Sequence, residues 1–270
     1  MNVKDYRLYK GAWVCIDELH SNKLSRMECK RLLSHGGLFV RNVYDFDTPT
    51  PTSFWYVIKD SFGGLEELTS GARRDVRKSL RTYNVRRITV DELRTVGYPI
   101  FASAQESYKV KCDVVSQEVF DAMIDTYEKK GERMEYWGVE KIESGEIVAV
   151  AVNTLKESSC EYSTLKCKPE ALKDGTQPYY GLIYEMNRHY LTERGMKYVN
   201  DGARSITNHS NIQPFLISKF KFRKAYCQIS IHYKWWLGVI VNILYPFRKL
   251  IPIKKVSQML DMEAMCRGKI

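Results

Sequence analysis

Apolar and polar positions recur along most of the chain with periods that assign secondary structure. Residues 1–50 are irregular, with a short strand predicted near 38–42. The stretch TPTPT at 48–52 reads as a loop, and FWYVIKD at 54–60 has strand composition. GARRDVRKSLRTYN predicts a helix that Ser70 caps and Asn84 stops. A short strand follows over 85–90, then a helix over 91–108, irregular at Gly97-Tyr98-Pro99. Ser116 caps the next helix, in which apolar Val119, Met123 and Tyr127 fall every four residues before Gly131 ends it. Residues 134–142, 146–156 and 160–167 read as three strands joined by short polar turns, hence antiparallel. Residues 178–233 then read helix, strand, helix, strand, after a turn-rich loop at 168–177. This order predicts an α/β (α+β) fold with a mixed, mostly antiparallel sheet flanked by helices.

At 270 residues and 44% hydrophobic content the chain can bury a sizeable core. Its pattern predicts an N-terminal extension at 1–52, a main domain at 53–233 and a basic apolar segment at 234–270. No window reaches the roughly 18–20 apolar residues of a membrane span, and the N-terminus lacks the apolar run of a signal peptide. Seven cysteines, an odd number with no CxxC pair, point to reduced thiols and a cytoplasmic location. Cys160 and Cys167 lack the further pair that a tetrahedral metal site requires, so no metal is expected.

The charge of +10 is unevenly placed. Residues 219–270 hold 11 of the 42 Lys/Arg but 2 of the 32 Asp/Glu. That asymmetry points to a local anionic partner of the C-terminus rather than to a globally basic nucleic-acid binder. Within that region Trp235 and Trp236, the aliphatics after them, and Arg248, Lys249, Lys254 and Lys255 form the pattern of a membrane-surface element over 235–255. A hydrophobic helix packed on the chain's own core or on a partner is the alternative. On the helix near residue 77, Arg73, Arg77 and Arg81 make a positive stripe that fits a phosphate-rich substrate or an RNA acceptor stem, or simply a solvated face. The loop before the helix at 178 presents unpaired N–H groups and a positive dipole end, which suits a phosphate-bearing cofactor.

Three stretches carry a resemblance: SGARRDVRKSLRTYNVRRI, EYWGVEKIESGEIVAVAV, and PYYGLIYEMNRHYLTERGMKYVNDGARS continuing into FLISKFKFRKAY. Together they resemble the GNAT acyltransferase superfamily in its FemAB-like branch, over roughly residues 55–233. The resemblance implies an N-acyltransferase that moves an acyl group from a thioester, acyl-CoA, to an amine. The acceptor would be an amino sugar or another cell-envelope precursor, small or lipid-linked. Taken with the pattern at 235–255, the expected location is cytoplasmic, peripheral on the inner face of the membrane. Amides of Gly175, Thr176 and Gln177, with Gly181, would surround the pyrophosphate, and Tyr179 and Tyr180 would line the pantetheine channel, with Asn211 nearby. The loop lacks the Q/R-x-x-G-x-G/A pattern common in GNAT proteins, which keeps an aminoacyl-tRNA donor open, as well as a non-catalytic adaptor of the same fold.

In that setting Asp201, in the run Asp201-Gly202-Ala203-Arg204-Ser205, ends a strand where α/β sheets bind ligands. Asp201 fits a general base for the amine and Arg204 a clamp for an anionic group. Asp-Gly is also ordinary turn chemistry. His209 can act at neutral pH or lie on the surface. Asn211 is equally placed to cap the next helix. Glu135 and Trp137 share a strand face that would border the acceptor pocket, or else serve as core and sheet edge.

Overall fold

A computed structural model describes residues 2–17, 19, 21–108, 114–204 and 211–269. In chain order the elements begin with β1 (Tyr6–Tyr9), β2 (Ala12–Cys15), α1 (Arg26–Ser34), β3 (Phe39–Thr48) and β4 (Phe54–Lys59). They continue with α2 (Ser70–Thr82), β5 (Tyr83–Ile88), α3 (Val90–Glu106), α4 (Gln117–Lys130), β6 (Met134–Lys141), β7 (Ile147–Leu155) and β8 (Ser159–Cys167). Then come α5 (Pro169–Lys173), α6 (Pro178–Arg188), β9 (Tyr198–Ala203), α7 (Ile212–Phe220), β10 (Arg223–Tyr233), α8 (Trp235–Leu244) and α9 (Lys254–Cys266).

These elements group into two compact units. One joins residues 1–56 and 203–208 to 224–270; the other holds 57–202 and 209–223. The chain's two ends thus belong to one unit, because the β3–β10 ladder lies in it: Ile229 faces Val43 and Tyr233 faces Phe39. There β1 and β2 form an antiparallel hairpin and β2 runs parallel to β3. Helices α8 and α9 seat Leu237, Val241, Leu260 and Ala264 against Ala12, Val14 and Phe39.

In the second unit the strand order is β4-β9-β8-β7-β6-β5. From β5 to β8 every pair is antiparallel, and β8 and β9 run parallel. The sheet is therefore mixed and mostly antiparallel, as its sequence pattern predicts. Period-2 alternation gives it two different faces. Tyr136, Val150 and Val152 turn to α3 and α4, packed with Leu93, Ile100, Phe101, Phe120 and Ile124. Glu135, Trp137 and Asn153 turn to α6 and the π-helical turn His189–Glu193 that extends it.

Several local expectations shift. Thr69, not Ser70, caps α2, its hydroxyl accepting from the Ala72 amide at 3.3 Å. Thr89 and Glu92 form a capping box, so α3 starts at Val90 and the preceding strand stops at Ile88. Pro99 lies inside α3 without breaking it. The turn-rich stretch before α6 contains the short helix α5. On α4 the buried residues are Phe120 and Ile124, one position on from the predicted stripe, and Val119 is 59% exposed. The reason is the approach of α3. Gly97 comes so close that a Cβ there would lie 2.7 Å from the Phe120 ring, and Phe120 packs edge-on against Phe101 with centroids 5.2 Å apart. A large ring filling the hollow over a glycine buries more apolar area than Val119 could.

Phe120→Ala should therefore cost about 3–5 kcal/mol, while Val119→Ala should stay within about 0.5 kcal/mol. Urea denaturation midpoints of the two variants check this, and equal losses would reject the packing.

Candidate active site

The site begins with a ladder that stops. Strands β8 and β9 pair through Ser159–Tyr198, Cys160–Val199 and Glu161–Asn200. Beyond Glu161, β8 stays bonded to β7 as far as Cys167, and the space on its other side opens into a cavity of about 710 Å³. A volume of that order suits a small-molecule site. Its walls come from β8, from Phe101 and Gln105 of α3, from Gln177 to Tyr180 at the start of α6, and from Asn211 and Phe215 of α7. Asp201 lines it from β9.

A bulge aims β8 into this space. Thr164 pairs with Val152 but Tyr162 pairs with Asn153, leaving Ser163 as an extra residue. The side-chain alternation therefore flips at Ser163. Before it, the Tyr162 hydroxyl donates to Asn187 of α6 at 2.8 Å. After it, Lys166 reaches the α3 side, its ammonium donating to the Tyr108 hydroxyl and lying 5.9 Å from the Phe101 ring centroid. Gln105, Tyr108, Lys166 and Phe215 also line the cavity, and no motif in the sequence marks them. No sequence signal marks a bulge here, and the residues only converge once α3, β8 and α7 assemble.

Asp201 is the titratable centre. Burial pushes its carboxyl up to about 7, with a smaller push from Glu161, while a hydrogen bond from the Gln213 side chain opposes the shift. The Gln213 amide also donates to the Asp201 carbonyl at 3.4 Å. A carboxyl so placed is a proton acceptor near neutrality.

The cofactor candidates separate. Gln177, Tyr179, Tyr180 and Asn211 line the cavity. Asn211 sits at the start of α7 without making the side-chain cap bond. Gln177 is left-handed, with φ of 64°, and Tyr180 packs edge-on against Phe215 at 5.0 Å. Thr176 is engaged elsewhere: its amide donates to Asp174 at 2.8 Å and its hydroxyl bonds with Tyr83 and Asp174. Gly181 is also not a cradle residue. Its amide donates to Ser79 of α2 at 3.1 Å, and a Cβ there would lie 2.6 Å from that hydroxyl. Its lack of a side chain serves helix packing. Gly175, with φ of 76°, lies next to Lys78 of α2. The amides of Gly175, Gln177 and Tyr179 have no hydrogen-bond partner among the described residues.

The substrate candidates do not join this cavity. Glu135 and Trp137 share a face, as expected, but it is the α6 face. There the Tyr190 hydroxyl donates to Glu135 at 2.9 Å and accepts from Trp137 at 2.9 Å and Asn153 at 3.1 Å. Arg194 pairs with the same carboxylate. This is a buried polar network, with the Tyr190 phenol pushed far up by burial. Arg204 lies in the other unit, donating to the Ser53 carbonyl at 2.7 Å with its guanidinium 4.2 Å from the Trp55 ring. Arg73 pairs with Glu66 at 3.2 Å, and Arg77 is exposed on α2. His209 lies outside the described residues.

No family model and no curated protein sequence matches the chain. Solved structures do. FemX is similar over 66% of this chain and 60% of its own, at 13% identity and a TM-score of 0.51. A C-terminal domain assigned to a lysylphosphatidylglycerol synthetase from Agrobacterium fabrum is similar over 88% and 82%, at 10% identity and a TM-score of 0.54. A tandem GNAT protein from the clavulanic acid biosynthesis pathway is similar over 82% and 74%, at 11% identity and a TM-score of 0.45. The chain thus spans less than two thirds of FemX. At these identities the likeness is one of fold, shared with FemX and with the synthetase's C-terminal domain.

Because the folded state raises the Asp201 carboxyl, folding favours its protonated form. Stability from this group is present below the unfolded value near 4 and is lost as pH rises to about 7. Asp201→Asn should therefore stabilise the protein at pH 8 by on the order of 2–4 kcal/mol and leave it unchanged near pH 4. Paired thermal melts at the two pH values read this directly; the same difference at both would refute it.

Proposed function

We propose that the chain is an N-acyltransferase working in the cavity between β8, β9, α3 and α7. An amine attacks the carbonyl of a thioester; the C–N bond forms, the C–S bond breaks, and the proton lost by the amine passes through Asp201 to the leaving thiolate. The observation that carries this reading is Asp201, a carboxyl at about 7 placed where the β8–β9 ladder opens onto the cavity. An amine must be unprotonated to attack, and a base poised near neutrality meets that need. The unpaired edge of β8 offers backbone groups for an extended donor chain and for the developing oxyanion.

Acyl-CoA is the donor favoured here. The amides of Gly175, Gln177 and Tyr179 at the N-terminal end of α6 suit a phosphate, and Tyr179 and the Tyr180–Phe215 pair suit the thin arm of a thioester carrier. A second reading, an aminoacyl-tRNA donor, draws on exposed Arg77 and Arg81 of α2 and on the name of the synthetase neighbour, which records lysine joined to phosphatidylglycerol. The open cavity beside residues 177–180 favours either enzyme over a scaffold without chemistry. The acceptor we favour is an amino sugar or another amine-bearing cell-envelope precursor.

Melting the protein with acetyl-CoA, longer acyl-CoAs and free CoA tests the donor. A ligand at a hundred times its Kd adds about 2.7 kcal/mol, or roughly 5–10 °C for a chain of this size. Filling the cavity with Leu165→Trp should abolish the shift. In a transfer assay Asp201→Asn should lower kcat about 100- to 10,000-fold, and the wild-type rate should rise with pH to a plateau above about 7. No shift with any CoA species, together with RNase-sensitive transfer, would replace the thioester by a charged tRNA.

A further inference from the structure

Helix α8 is apolar on both sides, and only one side is covered. Leu237, Val241 and, just beyond the helix, Tyr245 are buried against the first unit's own sheet and α9. On the opposite side Trp236, Val239, Ile240 and Ile243 follow helical spacing and lie in the open, with Trp235 83% exposed at the helix start. The line continues past the helix through Phe247, Leu250 (79% exposed) and Ile253. Isolated exposed apolar residues are ordinary, but a contiguous run of large ones marks a surface that something covers.

The charges around this strip select what covers it. From Lys234 to Lys255 the chain holds five Lys/Arg and no Asp/Glu. Lys249, Lys254 and Lys255 are exposed, and Arg248 folds its guanidinium over the Tyr245 ring at 4.6 Å. A symmetric contact with a second copy would set this all-basic rim against itself. A protein partner would meet no acidic group with which to register. An anionic lipid surface needs what is present: apolar side chains to enter the headgroup boundary, tryptophans at the water interface, and cations for the phosphates. No single helix among the described residues is long and apolar enough to cross a membrane. Residues 235–250 and 254–266 meet at 105°, and the inner side of α8 is already occupied by its own core.

We propose that the outer side of α8 and the segment running on to Ile253 form a docking surface for anionic bilayers, lying in the interface plane rather than crossing it. The proposal stands independently of the transfer reading, since it uses none of the cavity residues.

Flotation of the full-length protein with vesicles of phosphatidylcholine alone, and with phosphatidylglycerol added, tests it. Binding is expected to the anionic vesicles, at least tenfold weaker to the neutral ones, and weaker again in high salt. Ile243→Asp with Leu250→Asp should lower binding at least tenfold without changing the melting temperature, since both side chains are exposed. Brominated lipids should quench tryptophan fluorescence, and Trp235→Phe with Trp236→Phe should remove that quenching, because Trp13, Trp55 and Trp137 lie elsewhere. Failure to float with anionic vesicles would overturn the proposal. So would undiminished flotation of the double aspartate variant. A concentration-dependent dimer that the aspartates dissociate, with no vesicle binding, would assign the surface to a second copy instead.

Discussion

The parting of β8 from β9 after three residue pairs is the constraint on which the rest of the second unit depends. Backbone N–H and C=O groups buried in a sheet require partners, and β8 keeps them on one side only, through β7. Where β9 leaves, the freed edge can be met only by a ligand, by water or by another element. Helices α3, α6 and α7 border that edge without filling it, so a cavity remains. The Ser163 bulge belongs to the same device. It reverses the side-chain alternation at the point where pairing with β9 ends, so that Tyr162 anchors the α6 face while Lys166 enters the cavity side.

The sheet's two faces divide the remaining work. Toward α3 and α4 the packing is apolar, keyed by the close approach at Gly97 and the Phe120 ring. Toward α6 it is a polar network centred on the Tyr190 hydroxyl, which joins Glu135, Trp137 and Asn153. Buried polar groups must be matched to stay buried. The network therefore pins α6 to β6 and β7, and with it the helix start that borders the cavity. Glu135 and Trp137 anchor the helix here and lie outside the lining of the cavity beside β8. Gly181 makes the same point from the other side of α6, where its missing side chain admits Ser79.

The first unit follows a different logic. Its sheet is built from both ends of the chain, and α8 and α9 close over it. That arrangement covers one side of α8 and leaves an equally apolar side open, rimmed by cations. A sequence average records only that the segment is apolar and basic. Which residues are spent on the chain's own core, and which are left for a surface, depends on the angle at which α8 lies on its sheet.

Periodicity alone determined the element order, the antiparallel run from β6 to β8, the helix–strand–helix–strand end of the second unit, and the basic apolar character of the C-terminus. Each of these is written in neighbouring residues, where side-chain spacing of 2 or 3.6 is a local property. Asp201 was legible for the same reason, as an acidic residue at a predicted strand end. Only the tertiary structure decided that its carboxyl is buried enough to rise to about 7, and that Thr176 and Gly181 are engaged away from the cavity. It also left Glu135 out of the cavity lining and brought Lys166 and Phe215 into it. Those outcomes depend on where a ladder stops, where a bulge reverses a strand and which helix crosses which glycine. All of them are set by contacts between residues far apart in the chain, which no local pattern encodes.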